Sequence, residues 1–149
     1  MGARRQGRIV AFQALYAYEY THPPIDELLQ FSWLEAATEA GRSSKAALRS
    51  QEAVDFARLL VAGTIENICA IDDRIRGQLD HWDFSRIARV DLSILRLSVY
   101  SLLYVDSIPA SVTIDEAVSL AREFGSSESY RFVNGVLDGI RRTQAAAEA

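Results

Sequence analysis

The densest apolar run in the chain is VDLSILRLSVYSLLYV, residues 90 to 105. On a helix its large apolar residues, from Val90, Leu92 and Ile94 through Leu95, Leu97 and Val99 to Tyr104 and Val105, leave no wide polar face. A helix that is apolar nearly all round is a buried one, so this stretch predicts a central core helix. Ser93, Ser98 and Ser101 are small enough to admit a close neighbour. Sixteen residues rise only about 24 Å, and Asp91 and Arg96 interrupt them. The run is therefore too short and too charged to cross a bilayer.

Around this helix the pattern predicts further amphipathic ones. Ile9, Phe12 and Tyr16, with Leu15 beside them, give a core-facing stripe on a first helix from Arg4 to about Tyr20. His22-Pro23-Pro24 ends it, because proline disfavours helix in the residue before it. A second helix is expected from about Ile25 to Ala40, acidic throughout, followed by a flexible connection over Gly41 to Ser50. A long helix from about Gln51 to Leu79 follows, with Val61, Ile65, Ile68, Ile75 and Leu79 on one face and Gly63 as a close-packing site. Asp83 to Ile87 can form one short turn into the central helix, and Ser107-Ile108-Pro109 breaks the chain after it. Thr113 to Glu116 reads as a capping box that opens the next helix. That helix carries Ile114, Ala117, Val118, Ala121 and Phe124 inward and ends at Gly125, read as a left-handed terminator. Ser126 or Ser127 caps the last helix, whose Val133, Val136, Leu137 and Ile140 face inward, and the alanine-rich tail after Thr143 is expected to fray. No run alternates apolar and polar residues, so the fold class is all-α.

Composition narrows the function more than the fold. A chain of 149 residues suits one domain, and its 49% apolar and 24% charged residues are ordinary for a globular protein. A net charge of −4 does not point to nucleic acid, so any such site must be a local patch. The single cysteine, Cys69, excludes an internal disulfide framework and fits a reducing compartment. Gln13 and Glu19 interrupt the N-terminal apolar run, which argues against a signal peptide.

Little here suggests catalysis. Neither GxxxxGK[ST] nor GxGxxG occurs. His22 and His81 lack a second ligand at metal-binding spacing, so neither metal nor cofactor is expected. Cys69 lies in an apolar helical pattern, where an inert buried thiol is the better reading, and Asp72 and Asp73 point apart on a helix. The protein is not expected to be an enzyme.

Binding is the remaining class. Arg4, Arg5 and Arg8 fall within about 100° of one another on the first turns, a compact basic face on an otherwise acidic chain. Tyr16, Tyr18, Tyr130 and Phe132 could supply stacking surfaces for unpaired bases, although core packing is the competing role for each aromatic. A solvated charged surface is the competing reading of the arginines.

The strings RRQGRIVAFQALYAYE, VDLSILRLSVYSLLYVDSIPASVTIDEAVSLAREFG and SYRFVNGVLDGI together resemble the NusB family of bacterial transcription antitermination factors. They cover both ends and the centre of the chain in the right order, and the match is weakest over residues 21 to 60. Arg4, Arg5 and Arg8 match the family's arginine-rich RNA-binding motif, and Gln13 to Tyr16 the segment after it. Gln6 and Gly7 depart from the family's usual basic residue and alanine. Glycine there is expected to fray the first turn, at about 1 kcal/mol against alanine, and to leave the arm to order on RNA.

The resemblance implies a two-lobed bundle of about seven helices around the buried central one. Its lobes would span about 1–80 and 81–143, with a frayed tail over 144–149. It implies a cytoplasmic RNA adaptor that binds single-stranded boxA of ribosomal RNA leader transcripts together with NusE, a small-subunit ribosomal protein. That pair joins the antitermination complex on RNA polymerase. The family's RNA surface maps onto Tyr16 and Phe132, with Arg131 beside it, and acidic positions on the NusE side and the RNA-facing loop map onto Asp91 and Glu128. Asp115 stands where asparagine is usual, a near-isosteric change expected to be harmless. Some relatives self-associate through the RNA face, so a homodimer is among the states the resemblance allows. An RNA-docking module for ribosomal RNA processing or methylation would expect a methyltransferase domain behind residue 149. A third reading is a helical protein–protein adaptor that meets no RNA.

Overall fold

The computed structural model describes residues 2–31, 50–80 and 83–148, and there it is helical, without a strand. Its helices are α1 (Ala3–Thr21), α2 (Ile25–Gln30), α3 (Gln51–Glu66), α4 (Ile68–Arg76), α5 (Arg89–Tyr104), α6 (Ala110–Phe124) and α7 (Ser129–Glu148). One 3₁₀ turn, Phe84–Arg86, precedes α5. The chain divides into two units, Met1–Ile65 and Glu66–Ala149. No described helix is long and apolar enough to cross a membrane.

In the first unit, α1 buries Gly7 to Phe12, Ala14 and Leu15, a broader face than the expected stripe of Ile9, Phe12 and Tyr16 with Leu15 beside them, and Tyr16 of that stripe is only half-buried. It ends at Thr21, with His22 in the left-handed region at φ 45° and its N–H on the Tyr18 carbonyl at 2.9 Å. α2 stops at Gln30, where Phe31, at φ 56°, turns the chain while its ring stays buried. The expected continuation to Ala40 and nearly all of the expected connection over 41 to 50 lie outside the described residues. α3 buries Ala53, Phe56, Ala57, Leu60, Val61 and Thr64, a three-and-four spacing that lays one stripe along it. Gly63 is buried inside an unbroken helix, as a packing residue should be.

The expected helix over 51 to 79 is two helices. Asn67, at φ −109° and ψ 17°, leaves helical geometry, and its carbonyl accepts from the Ile71 N–H at 3.0 Å to open α4. Apolar spacing continues across this residue, which is why periodicity alone runs through it. The division at 65/66 accordingly lies one helix earlier than the expected lobe boundary near residue 80.

The second unit is organised on α5, in which every residue from Asp91 to Ser101 is buried. Total burial forces an answer for Arg96. Its Nε donates to Asp72 Oδ1 and its Nη2 to Asp72 Oδ2, both at 2.9 Å, with the two side chains 9% and 12% exposed. A planar guanidinium meets a carboxylate as a two-pronged fork, and this pair fixes α4 on α5. Asp73, its neighbour in sequence, points to solvent and pairs with Arg76 instead.

α6 and α7 pack on α5 and on each other. The capping-box expectation is corrected: α6 opens a turn earlier, at Ala110 behind Pro109, whose carbonyl accepts from the N–H groups of Val112 and Thr113. Thr113 is therefore interior to the helix, and its buried hydroxyl has no hydrogen-bond partner among the described residues. Gly125 is extended at φ −93° and ψ −171°, not left-handed. A Cβ there would lie 2.5 Å from the Ser129 side chain, so close approach explains the glycine. The last helix begins at Ser129, later than a cap at Ser126 or Ser127 would place it, and the Ser129 hydroxyl accepts from the Ser126 N–H at 2.9 Å. Residues 144–148 are helical where fraying was expected, and Gln144 accepts from Arg74 of α4 at 3.3 and 3.4 Å.

Two substitutions test this core. Leu97→Ala should cost about 2–5 kcal/mol in urea melts by opening a cavity beside α5. Asp72→Ala should cost about 3–5 kcal/mol because it strands the Arg96 charge, and pairing it with Arg96→Met should recover most of the loss. A double variant no better than Asp72→Ala would show that the ion pair is not what the single change removes.

Candidate nucleic-acid interface

The arginine motif lies on the first turns of an intact α1. Gly7, expected to loosen them, is buried against α3. A Cβ at this position would stand 2.9 Å from the Ala53 carbonyl oxygen, 3.0 Å from Phe56 Cδ2 and 3.4 Å from the Ala57 nitrogen. The first of these is backbone, which cannot swing aside. The arm is therefore ordered without RNA, and its glycine is there for a helix–helix approach that no side chain allows.

The close approach places the arginines in two different settings. Arg4 and Arg8 both lie over the Phe56 ring, each with Cζ 5.2 Å from its centroid. Arg8 is buried, at 7% exposure, while Arg4 and Arg5 are exposed. Of the predicted basic face, two residues are exposed and the third is mostly spent on packing. Acidic side chains stand close by: Arg4 shares a groove of about 490 Å³ with Glu52, Asp55 and the exposed Leu59.

Tyr16 is half-buried further along α1, and its hydroxyl and that of Tyr20 are 2.8 Å apart, with the rings edge to face at 5.1 Å. Tyr20 is 53% exposed and was not among the sequence candidates, although its i+4 spacing from Tyr16 was the available signal. Tyr18 instead packs on His22, with centroids 4.7 Å apart.

In the second unit the candidates cluster at the start of α7. Phe132 is half-buried, while Arg131 is exposed. Arg131 Nε donates to the Tyr130 hydroxyl at 2.9 Å, and its Nη1 is 3.6 Å from Glu128. The hydrogen bond to Tyr130, then the Glu128 carboxylate, raise the Arg131 pKa above its ordinary value. Arg122 of α6 also stacks on Tyr130, with Cζ 4.7 Å from the ring centroid. Asp91 differs from the other candidates. It is 8% exposed, and its Oδ1 is buried with no partner among the described residues, so little of its carboxylate is offered at a surface.

Among the described residues no group of three His, Cys, Asp or Glu could hold an ion. Cys69, expected to be buried, is exposed on the first turn of α4. His81 lies outside the described residues.

Among the described residues the protein is helical, and α1 carries Arg4, Arg5 and Tyr20 exposed along it, a surface able to meet a ligand. The model of the NusB family matches residues 5–142. A transcription antitermination protein NusB from Treponema pallidum is 46% identical over 140 residues, 94% of this chain and 93% of that one. A T. maritima NusB structure is 34% identical, with a TM-score of 0.75, over 93% of this chain and 90% of that chain. A structure of antitermination factors NusB and NusE in complex with double-stranded RNA is 25% identical, with a TM-score of 0.79, over 96% and 98%. The chain belongs to the NusB family.

Gly7 separates two accounts of the arm. If glycine only weakened the helix, Gly7→Ala would stabilise the protein by about 1 kcal/mol. The contact with the Ala53 carbonyl instead predicts a loss of about 1–3 kcal/mol from overpacking, read in thermal or urea melts. A stabilised variant would refute the close approach.

Proposed function

We propose that this chain is an RNA-binding antitermination factor that takes up boxA of ribosomal RNA leader transcripts together with NusE and joins the antitermination complex on RNA polymerase. It would do so in the cytoplasm, where transcripts emerge. The observation that carries the reading is the pair of exposed arginines, Arg4 and Arg5, on an ordered α1 in a chain whose net charge is −4. Family membership supports it, as does the NusB structure solved with NusE and RNA.

In this reading Arg4 and Arg5 meet phosphates and Tyr16 stacks on a base. Arg8 holds α1 on Phe56 and adds its charge from behind. Arg131 and Phe132 meet RNA from α7, with Glu128 at the edge of that loop. Asp91 contributes to the NusE side, where its buried carboxylate would act by setting the first turn of α5 more than by direct contact.

Gel shift or anisotropy with a boxA-like single strand, with and without NusE, tests this. Arg4→Ala with Arg5→Ala should weaken binding and lower the slope of log K against log salt by roughly 1.4, at about 0.7 per phosphate. Tyr16→Ala should cost about 1–3 kcal/mol and leave the slope nearly unchanged, since stacking releases no counterions. Native affinity and slope in all of these would remove RNA from α1 and favour a protein–protein adaptor.

A further inference from the structure

A groove of about 560 Å³ runs between α6 and α7, within the size range of small-ligand sites. Asp115, Val118, Ser119 and Arg122 line it from α6, at spacings of three, four and seven that put them on one helical face. Tyr130, Arg131, Asn134 and Gly135 line it from α7, again on one face. Arg131 is already paired with Tyr130 and Glu128, but other polar groups of the groove are not. Among the described residues Arg122 has no ion pair and touches only the Tyr130 ring, while Asp115 and Asn134 are exposed and have no hydrogen-bond partner. At Gly135 an added Cβ would meet nothing within 4 Å, so the wall there is open.

From these groups we infer that the groove seats one unpaired nucleotide of the bound RNA. The inference rests on the RNA-binding reading and adds to it residues that the arginine motif does not include. Arg122 rests over Tyr130, with Cζ 4.7 Å from the ring centroid, and offers a fork of donors to a phosphate. A carboxylate such as Asp115 only accepts hydrogen bonds, so it selects a base whose edge carries an amino group. Cytosine presents such a donor at N4, whereas uracil presents an oxygen at the same place. The Asn134 amide can both donate and accept beside it. Asp115 stands where the family resemblance led us to expect asparagine, so the change narrows the choice of base instead of being neutral.

Three variants and three probes test the groove on the whole chain. Arg122→Gln should weaken binding of a labelled boxA-like single strand several-fold and lower its salt slope by about 0.7. Gly135→Met should weaken binding similarly by filling the groove, and its melt should be unharmed because an added Cβ meets nothing within 4 Å. Asp115→Asn should reduce the preference for oligocytidine over oligouridine. Native binding by both Arg122→Gln and Gly135→Met, with the Arg4 and Arg5 variant still weakened, overturns the groove and leaves the RNA reading standing. Loss in Arg122→Gln alone would be a general effect of surface charge and also overturns it. Loss in both groove variants, with the Arg4 and Arg5 variant native, keeps the groove and removes α1. Failure of the wild-type protein to bind any single strand sinks both.

Discussion

A guanidinium in the middle of the buried stretch of α5, Asp91 to Ser101, is the constraint on which the second unit depends. Arg96 cannot reach water, and an unpaired charge in that place would cost more than a small domain can spare. Asp72 answers it with both carboxylate oxygens at 2.9 Å. Such a pair adds little net stability over a well-packed apolar pair, because both ions must first lose their hydration. What it adds is register. α4 can lie on α5 in many apolar ways, but only one brings two oxygens onto two guanidinium nitrogens. The rest of the unit inherits that alignment, including the contact from Arg74 to Gln144 that ties the end of α7 to α4.

The central helix was legible because burial on all sides leaves an unmistakable pattern, and α5 runs from Arg89 to Tyr104, one residue off the expected span at each end. Helix boundaries were harder wherever one residue can do two jobs. Thr113 and Glu116 have the spacing of a capping box, yet Pro109 starts the helix first by fixing the chain at φ −57°. Gly125 looks like a left-handed terminator and is instead a gap for Ser129. Asn67 breaks a helix whose apolar spacing never falters. Each of these depends on a neighbour distant in sequence or on a backbone angle, and one-dimensional periodicity records neither.

The candidate site was legible as a set of residue types and obscure in its division of labour. Sequence placed Arg4, Arg5 and Arg8 on one face, correctly by angle, but angle does not say which side α3 covers. Gly7 decides that. Because it lets the Ala53 backbone come close, the neighbouring Arg8 is drawn under cover and Arg4 onto the rim of Phe56. The glycine that seemed to weaken the motif is what orders it. Tyr20 was overlooked because it lies past the apolar stripe, where exposure removes the periodic signal.

The same device recurs in both units. Arg4 lies over Phe56, and Arg122 lies over Tyr130. A free arginine side chain carries about 2 kcal/mol of rotamer entropy that a phosphate contact must overcome. An arginine already resting on an aromatic ring has lost much of that freedom in folding, so the contact costs less when RNA arrives. The arrangement matters most in an acidic protein, whose overall field repels a polyanion and gives no long-range help. On the proposed reading binding then comes from short-range cations held in place, and an aromatic ring holds a guanidinium without neutralising it. A carboxylate partner would hold it as firmly and cancel the charge. Arg131, paired with Glu128 at 3.6 Å, is partly in that position. On the proposed reading its contribution to a phosphate contact is smaller than that of Arg122, which has no ion pair among the described residues.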